Sequence, residues 1–239
     1  MRETITAILV DGGFYRRRAA KLWGQDATAE QRADELYSYC FKHLEDKDGG
    51  GTRRNLYRIF YYDCPPIDGF LFNPITGANE NFGARDTFKW QTTFFRALVG
   101  KRKVAVRKGR LASTGTGYRL RANVQRDLCA RKRTADSLEQ GDLVVELGQK
   151  GVDVKIGIDI VQLAFQRIVN QIVLISGDSD FVPAAKVARR EGVDFILDSM
   201  GVHIADDLAE HIDGLRTHYR DFTPQHVRDT KPQTNRPTL

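Results

Sequence analysis

No C-x-x-C pair occurs in this chain, and its three cysteines, Cys40, Cys64 and Cys129, are an odd number among 239 residues. That argues against a disulfide framework and a structural zinc site, and leaves reduced thiols with a packing role. No apolar run reaches eighteen residues and no charged-then-apolar leader opens the chain. Neither a membrane span nor a signal peptide is expected, and the protein reads as cytoplasmic. The histidines (His43, His203, His211, His218, His226) show no metal-ligand spacing. A G-x-G-x-x-G turn after the first apolar segment is also missing, which removes the dinucleotide-binding reading.

What is present is enough apolar content, 41%, for a sizeable core. The net charge is +6, but twelve basic residues against the single acid Asp127 lie between Lys101 and Arg133, so the rest of the chain is net acidic. A basic stretch on an acidic body suits a polyanion, because each neutralised phosphate releases counterions. A solvated loop is the plainer alternative.

Short apolar segments alternate with helical periodicity. Thr4 to Val10 reads as a buried strand ending at Asp11-Gly12-Gly13, followed by a helix from Phe14 to Trp23. Thr28-Ala29-Glu30-Gln31 is a capping box, and the helix behind it runs toward a Gly49-Gly50-Gly51 linker. Leu56 to Tyr62 is a second strand, ending at Asp63. Residues 64–141 are irregular, with a helix over 87–99 and a strand pair around 104–106 and 118–121. Regular order returns with a helix over 152–165, a strand over 172–176, a helix over 181–191, a strand over 193–197 and a helix around 205–215. This alternation predicts an α/β fold of right-handed βαβ units, a parallel sheet with helices on both faces, carrying a basic insertion. One domain is expected over 1–222 with its insertion at about 64–141, and a disordered tail over 223–239.

The second central strand, Ile172-Val173-Leu174-Ile175, stops on Ser176-Gly177-Asp178-Ser179-Asp180-Phe181. In open parallel sheets functional groups collect beyond the carboxyl ends of the strands. If this strand and the first one are neighbours, Asp11, Asp178 and Asp180 meet in one cleft, and Asp153 and Asp159 on the preceding helix can join them. Carboxylates held together repel one another unless a cation intervenes, and Mg²⁺ or Mn²⁺ suits an all-oxygen site. Such ions orient and acidify water and stabilise a phosphodiester as its bond breaks. Each acid also has a plainer role: Asp11 as a turn former, Asp153, Asp178 or Asp180 as helix caps. Asp198 is a further strand-end acid.

The segments Ile8-Leu9-Val10-Asp11-Gly12-Gly13, Lys150-Gly151-Val152-Asp153-Val154 with Asp159 beyond it, and Ser176-Gly177-Asp178-Ser179-Asp180-Phe181 resemble the NYN domain of the PIN-like nuclease superfamily, in its LabA-like branch. The resemblance implies a Rossmann-like three-layer α/β/α sandwich with a central mostly parallel sheet, and a Mg²⁺- or Mn²⁺-dependent ribonuclease. It implies metal-binding carboxylates at Asp11, Asp159, Asp178 and Asp180, with Asp153 a further acid of the site. Phe14 departs from the pattern, standing where many members carry Asn. RNA is the implied partner, with DNA not excluded and a homo-oligomer left open. Arg16 and Arg17, just after Asp11, and Lys101, Arg102, Lys103, Arg107, Lys108 and Arg110 are expected to hold its backbone. Tyr118 is a candidate for stacking on a base. The rival reading is an RNA-binding or regulatory adaptor with a degenerate site. A haloacid-dehalogenase phosphatase is disfavoured because Gly13 stands where it needs a second Asp, and a Toprim domain because Asp11 stands where it prefers Glu.

Overall fold

The structure, a computed structural model, describes residues 3–45, 53–112 and 115–230. The expected Gly49–Gly51 linker and the last nine residues of the tail lie outside them. The chain divides into two units, one of Met1–Asp63, Thr93–Lys108 and Val152–Leu239, the other of Cys64–Thr92 and Gly109–Gly151.

The first unit contains, in chain order, β1 (Glu3–Asp11), α1 (Gly12–Trp23), α2 (Ala29–Lys42), β2 (Arg53–Asp63), the C-terminal part of α3 (Asp86–Val99), β3 (Val104–Lys108), α4 (Val152–Phe165), β4 (Gln171–Ile175), α5 (Val182–Arg190), β5 (Asp194–Asp198), α6 (Asp206–Ala209), β6 (Gly214–Leu215) and α7 (Gln225–Thr230). Its six strands form one parallel sheet in the order β6-β5-β4-β1-β2-β3. Strand order reverses between β1 and β4, so the crevice at a doubly wound switch point falls beside Asp11 and the 176–181 turn.

Both faces of the sheet are covered, which is why β1 and β4 read as continuous apolar runs rather than alternating ones. Ala7, Leu9, Tyr62, Ile172, Leu174 and Leu197 pack with Ile156, Ile160 and Leu163 of α4 and the alanines of α5. The alternate residues, Ile8, Val10, Tyr61, Val173 and Ile175, are fully buried on the side of α1 and α2. Helix α2 begins with the capping box read from the sequence, Thr28 and Gln31 each bonding the other's backbone.

Three local expectations are corrected. Residues 104–108 pair with β2 inside the main sheet, while 117–120 pair antiparallel with 143–146 in the second unit. The helix expected around 205–215 is only Asp206–Ala209, because Gly214 and Leu215 pair with β5 as an edge strand. The tail carries helix α7 where disorder was expected from 223 onward. Cys40 and Cys64 are buried but Cys129 is exposed, so a packing role holds for the first two only. Among the described residues no helix is long and apolar enough to cross a membrane.

The second unit contains short antiparallel strand pairs and a helix, Ala122–Cys129. Phe70–Asn73 pairs with Ala78–Asn81, and Arg110–Leu111 with Gln149–Lys150. Tyr118 donates its hydroxyl to Glu80 Oε2 at 2.8 Å.

Candidate active site

Strand alternation sorts the strand-end acids onto opposite faces. Asp11 follows Leu9 with one residue between them and stands in register with Tyr62, which is in register with Arg107. All four belong to the α4 side of the sheet. Asp63 and Asp198 fall on the other side. Asp198 is fully buried and accepts from the Tyr39 hydroxyl at 2.6 Å and the Met200 amide at 2.7 Å, with His43 Nε2 at 3.0 Å. Burial pushes its carboxyl up, but the bonds from His43, Tyr39 and Met200 outweigh this and hold it below the usual range. It is a structural acid.

Asp11 caps α1: its Oδ1 accepts the Phe14 amide at 3.0 Å, and Ser176 Oγ approaches its Oδ2 at 3.4 Å. Ser176, fully buried at the end of β4, also accepts the Asp178 amide at 3.3 Å, and Asp178 Oδ1 caps the short 3₁₀ turn by accepting the Asp180 amide at 3.0 Å. One serine thereby ties the first strand's acid to the turn carrying the next two. Burial raises the Asp11 carboxyl above its ordinary range. The Phe14 amide and Arg17 oppose this, and the charges of Asp153 and Asp63 add to it. Asp153, in the first turn of α4, is raised by burial and then by Asp178 and Asp180. Asp11, Asp153, Asp178 and Asp180 therefore form one electrostatically connected group at the switch point.

Asp159 is placed differently. It is buried on the inner face of α4, and its Oδ2 accepts the Tyr62 hydroxyl at 2.7 Å and lies 3.2 Å from Arg107 Nε. Its charge is not among the largest that bear on Asp11 or Asp153.

The basic residues separate likewise. Arg17 is exposed beside Asp11, whereas Arg16 is turned inward onto Asp63, with Nε 2.9 Å from Oδ2 and a second nitrogen 3.1 Å from Oδ1. Lys101 pairs with Asp34, and Lys103 donates to the Leu56 carbonyl. Lys108 lies over the Phe95 ring at 5.3 Å. The Arg102 and Arg110 side chains are exposed, Arg110 in the second unit. Sequence reasoning counted these charges as alike; buried or nearby partners distinguish them.

Among the described residues no three His, Cys, Asp or Glu converge closely enough to enclose a metal ion by themselves. Mg²⁺ needs less: one or two carboxylates, with water and substrate phosphate completing the shell. The carboxylates of Asp11, Asp153, Asp178 and Asp180 offer only hard oxygen donors, and the neighbouring negative charges that raise Asp11 and Asp153 are of the kind such an ion relieves. The residues fit it.

Comparison with known proteins addresses the same part of the chain. Residues 100–215 match the NYN domain. This match bears out the NYN resemblance, and it spans Asp153, Asp159, Asp178 and Asp180, as well as the basic stretch from residue 101; Asp11 lies before it. NYN domains belong to the PIN-like nuclease superfamily. A 57-residue segment is 42% identical to the uncharacterized protein y4oD of Sinorhizobium fredii, covering 24% of this chain and 26% of that protein. The chain thus spans about a quarter of that relative. A crystal structure of a protein of unknown function from Vibrio parahaemolyticus aligns over 90% of this chain and 92% of its own, at 14% identity and a TM-score of 0.44.

Proposed function

We propose that this protein is a divalent-metal-dependent ribonuclease of the LabA-like NYN type, hydrolysing RNA phosphodiester bonds at Asp11, Asp153, Asp178 and Asp180. The observation that carries the reading is the geometry at the switch point between β1 and β4, where Ser176 lies 3.4 Å from Asp11 and bonds the turn that carries Asp178 and Asp180, with Asp153 in the first turn of α4. Mg²⁺ or Mn²⁺ held there supplies charge stabilisation for the phosphodiester and a more acidic water. The chain's own groups do the rest. Ser176 fixes Asp11 against the 178–180 turn. Arg17, beside Asp11, holds the substrate phosphate. The raised proton affinity of Asp11 and Asp153 suits either one to accept a proton from the attacking water. In-line hydrolysis then breaks the P–O3′ bond and leaves a 5′-phosphate and a 3′-hydroxyl.

The test is cleavage of a labelled single-stranded RNA and the matching DNA by wild type and Asp178→Asn, with Mg²⁺, Mn²⁺ or EDTA. Metal-dependent cleavage of RNA that disappears in the variant is the expected result. Salt-dependent binding without turnover under every condition would establish the adaptor reading instead. That alternative is favoured by one observation, the Phe14 ring packed against Gly177 where many NYN domains carry Asn.

A further inference from the structure

Helix α4 is apolar on two sides. Ile156, Ile160, Leu163 and Ala164 face the sheet and are buried. On the opposite side Val154, Ile158, Val161 and Phe165 follow one another at intervals of four, three and four residues, which places them in one stripe. Val154 is 65% exposed, Ile158 58% and Phe165 60%, with Val161 partly buried between them. Exposed helix positions are ordinarily filled by Lys, Glu, Gln or Ala, whereas valine and isoleucine lose side-chain freedom there. The stripe therefore weakens α4 in the isolated chain, and its use lies in what covers it.

The exposed part of the stripe amounts to roughly 300–400 Å², the size of the patches that are commonly functional on monomers. Two four-turn helices crossing there, with their polar margins, bury about 600 Å² on each side, below the roughly 800 Å² of a standard interface and in the range of weak reversible dimers. The stripe is also complementary to itself. About a two-fold axis passing between Ile158 and Val161, antiparallel pairing sets Val154 against Phe165 of the second copy and Ile158 against its Val161, a smaller side chain facing a larger one each time. Gly157 stands at the edge of the stripe, where a β-carbon would meet only open space, and its bare α-carbon leaves room for Val161 of the second copy. On the other margin are Gln162, Gln166 and Lys155, which donates to the Lys108 carbonyl. The two Lys155 residues of such a pair stand about 13 Å apart along the helices, beyond the screening length at physiological salt. No charge inside the stripe selects for a chemically different partner.

We propose that α4 is the contact surface of a two-fold symmetric dimer of this chain, packed antiparallel on its own copy through Val154, Ile158, Val161 and Phe165. Asp153, next to Val154 in sequence, projects about 100° away around the helix. The contact leaves it, and the acidic group it belongs to, open to solvent in both copies. The inference is independent of the nuclease reading, since neither metal nor RNA takes part in it.

Sedimentation velocity of the full chain in EDTA without RNA, over a wide range of concentration, measures the association. Wild type is expected to shift from monomer to dimer with a dissociation constant on the order of 10 µM, as so small an interface implies. Ile158→Lys, beside the two-fold axis, should be monomeric throughout, and Val154→Gln should weaken association about 10-fold. Both positions are exposed in the monomer, so circular dichroism should show unchanged folding. Phe72→Lys, at an exposed site away from α4, should dimerise like wild type. The antiparallel register is tested in Cys129→Ser protein, which lacks the exposed thiol. A short bismaleimide should join Val154→Cys to Phe165→Cys in an equal mixture and should not join Val154→Cys to itself, because those two positions are about 16 Å apart along the pair. A dimer that Ile158→Lys leaves intact, or cross-linking of Val154→Cys to itself, overturns the proposal. Wild type that is still monomeric at about 100 µM also overturns it and leaves the stripe to a different macromolecule.

Discussion

The ring of Phe14 lies directly against the α-carbon of Gly177: a β-carbon at Gly177 would come within 2.9 Å of Phe14 Cε2. Residues from the first helix and from the turn after β4 therefore meet in the middle of the acidic group, one between Asp11 and Arg17, the other between Ser176 and Asp178. Glycine is required here for close approach, not for an unusual backbone angle. Gly177→Ala is expected to displace the Phe14 ring and destabilise the fold by about 1–3 kcal/mol, the usual cost of overpacking. It should also lower cleavage by shifting Asp178. Thermal unfolding with unchanged stability would show that the contact is loose.

Asp11→Asn separates stability from activity. The Asp11 carboxyl is raised chiefly by burial, so the folded state binds protons more readily than the unfolded one. Stability contributed by this group therefore falls as pH rises through the raised value, and stays reduced at neutral pH. Asparagine removes the charge and still caps α1. The variant is expected to melt higher than wild type at pH 7 in EDTA, while losing cleavage by about a hundredfold or more, as the loss of a several-kcal/mol charge contact implies. A lower melting temperature at pH 7 counts against this account of Asp11.

Cation binding should relieve the same repulsion. Mg²⁺ or Mn²⁺ is expected to raise the melting temperature of wild type with a concentration dependence set by its affinity. The shift should shrink in Asp11→Asn and in Asp178→Asn. A metal-induced shift of equal size in all three proteins would place the ion elsewhere.

Asp198 provides the contrast. Its carboxyl is held low by His43, Tyr39 and Met200 in spite of burial. The stability it contributes is present above the unfolded carboxylate value and is lost as pH falls through the lower, folded value. Asp198→Ala is expected to cost about 3–5 kcal/mol, the range for breaking a buried charged pair. At temperatures where the variant is folded, specific cleavage should be retained, because Asp198 lies on the α2 side of the sheet. Loss of cleavage with normal folding would falsify its assignment as structural.

The basic residues should divide by their partners. Arg102→Gln and Arg17→Gln are each expected to lower the slope of log affinity for RNA against log salt by about 1, as for a lost phosphate contact. Lys103→Gln, which loses its bond to the Leu56 carbonyl, should leave the slope unchanged and change thermal stability instead. Slopes measured by fluorescence anisotropy over a salt series distinguish the two groups.

Local chemistry made much of this legible in the sequence. Apolar β-branched runs marked β1, β2 and β4, the capping box marked α2, and acids directly after β1 and β4 marked the cleft, because a doubly wound sheet brings the ends of its central strands together. The Ser-Gly-Asp-Ser-Asp turn contained its own caps. Side-chain partners, by contrast, were a matter of tertiary structure. Asp11, Asp63 and Asp198 all end strands, and only the sheet register puts Asp11 with α4 and the other two with α1 and α2. Asp153 and Asp159 lie on one helix, yet the first faces the switch point and the second faces Tyr62 and Arg107 across the sheet. Residues 104–108 look like part of a basic hairpin until β2 claims them as a parallel edge strand. Sequence periodicity fixes which residues share a face of their own element; which charge that face meets depends on elements distant in the chain, and on the register at which they pack.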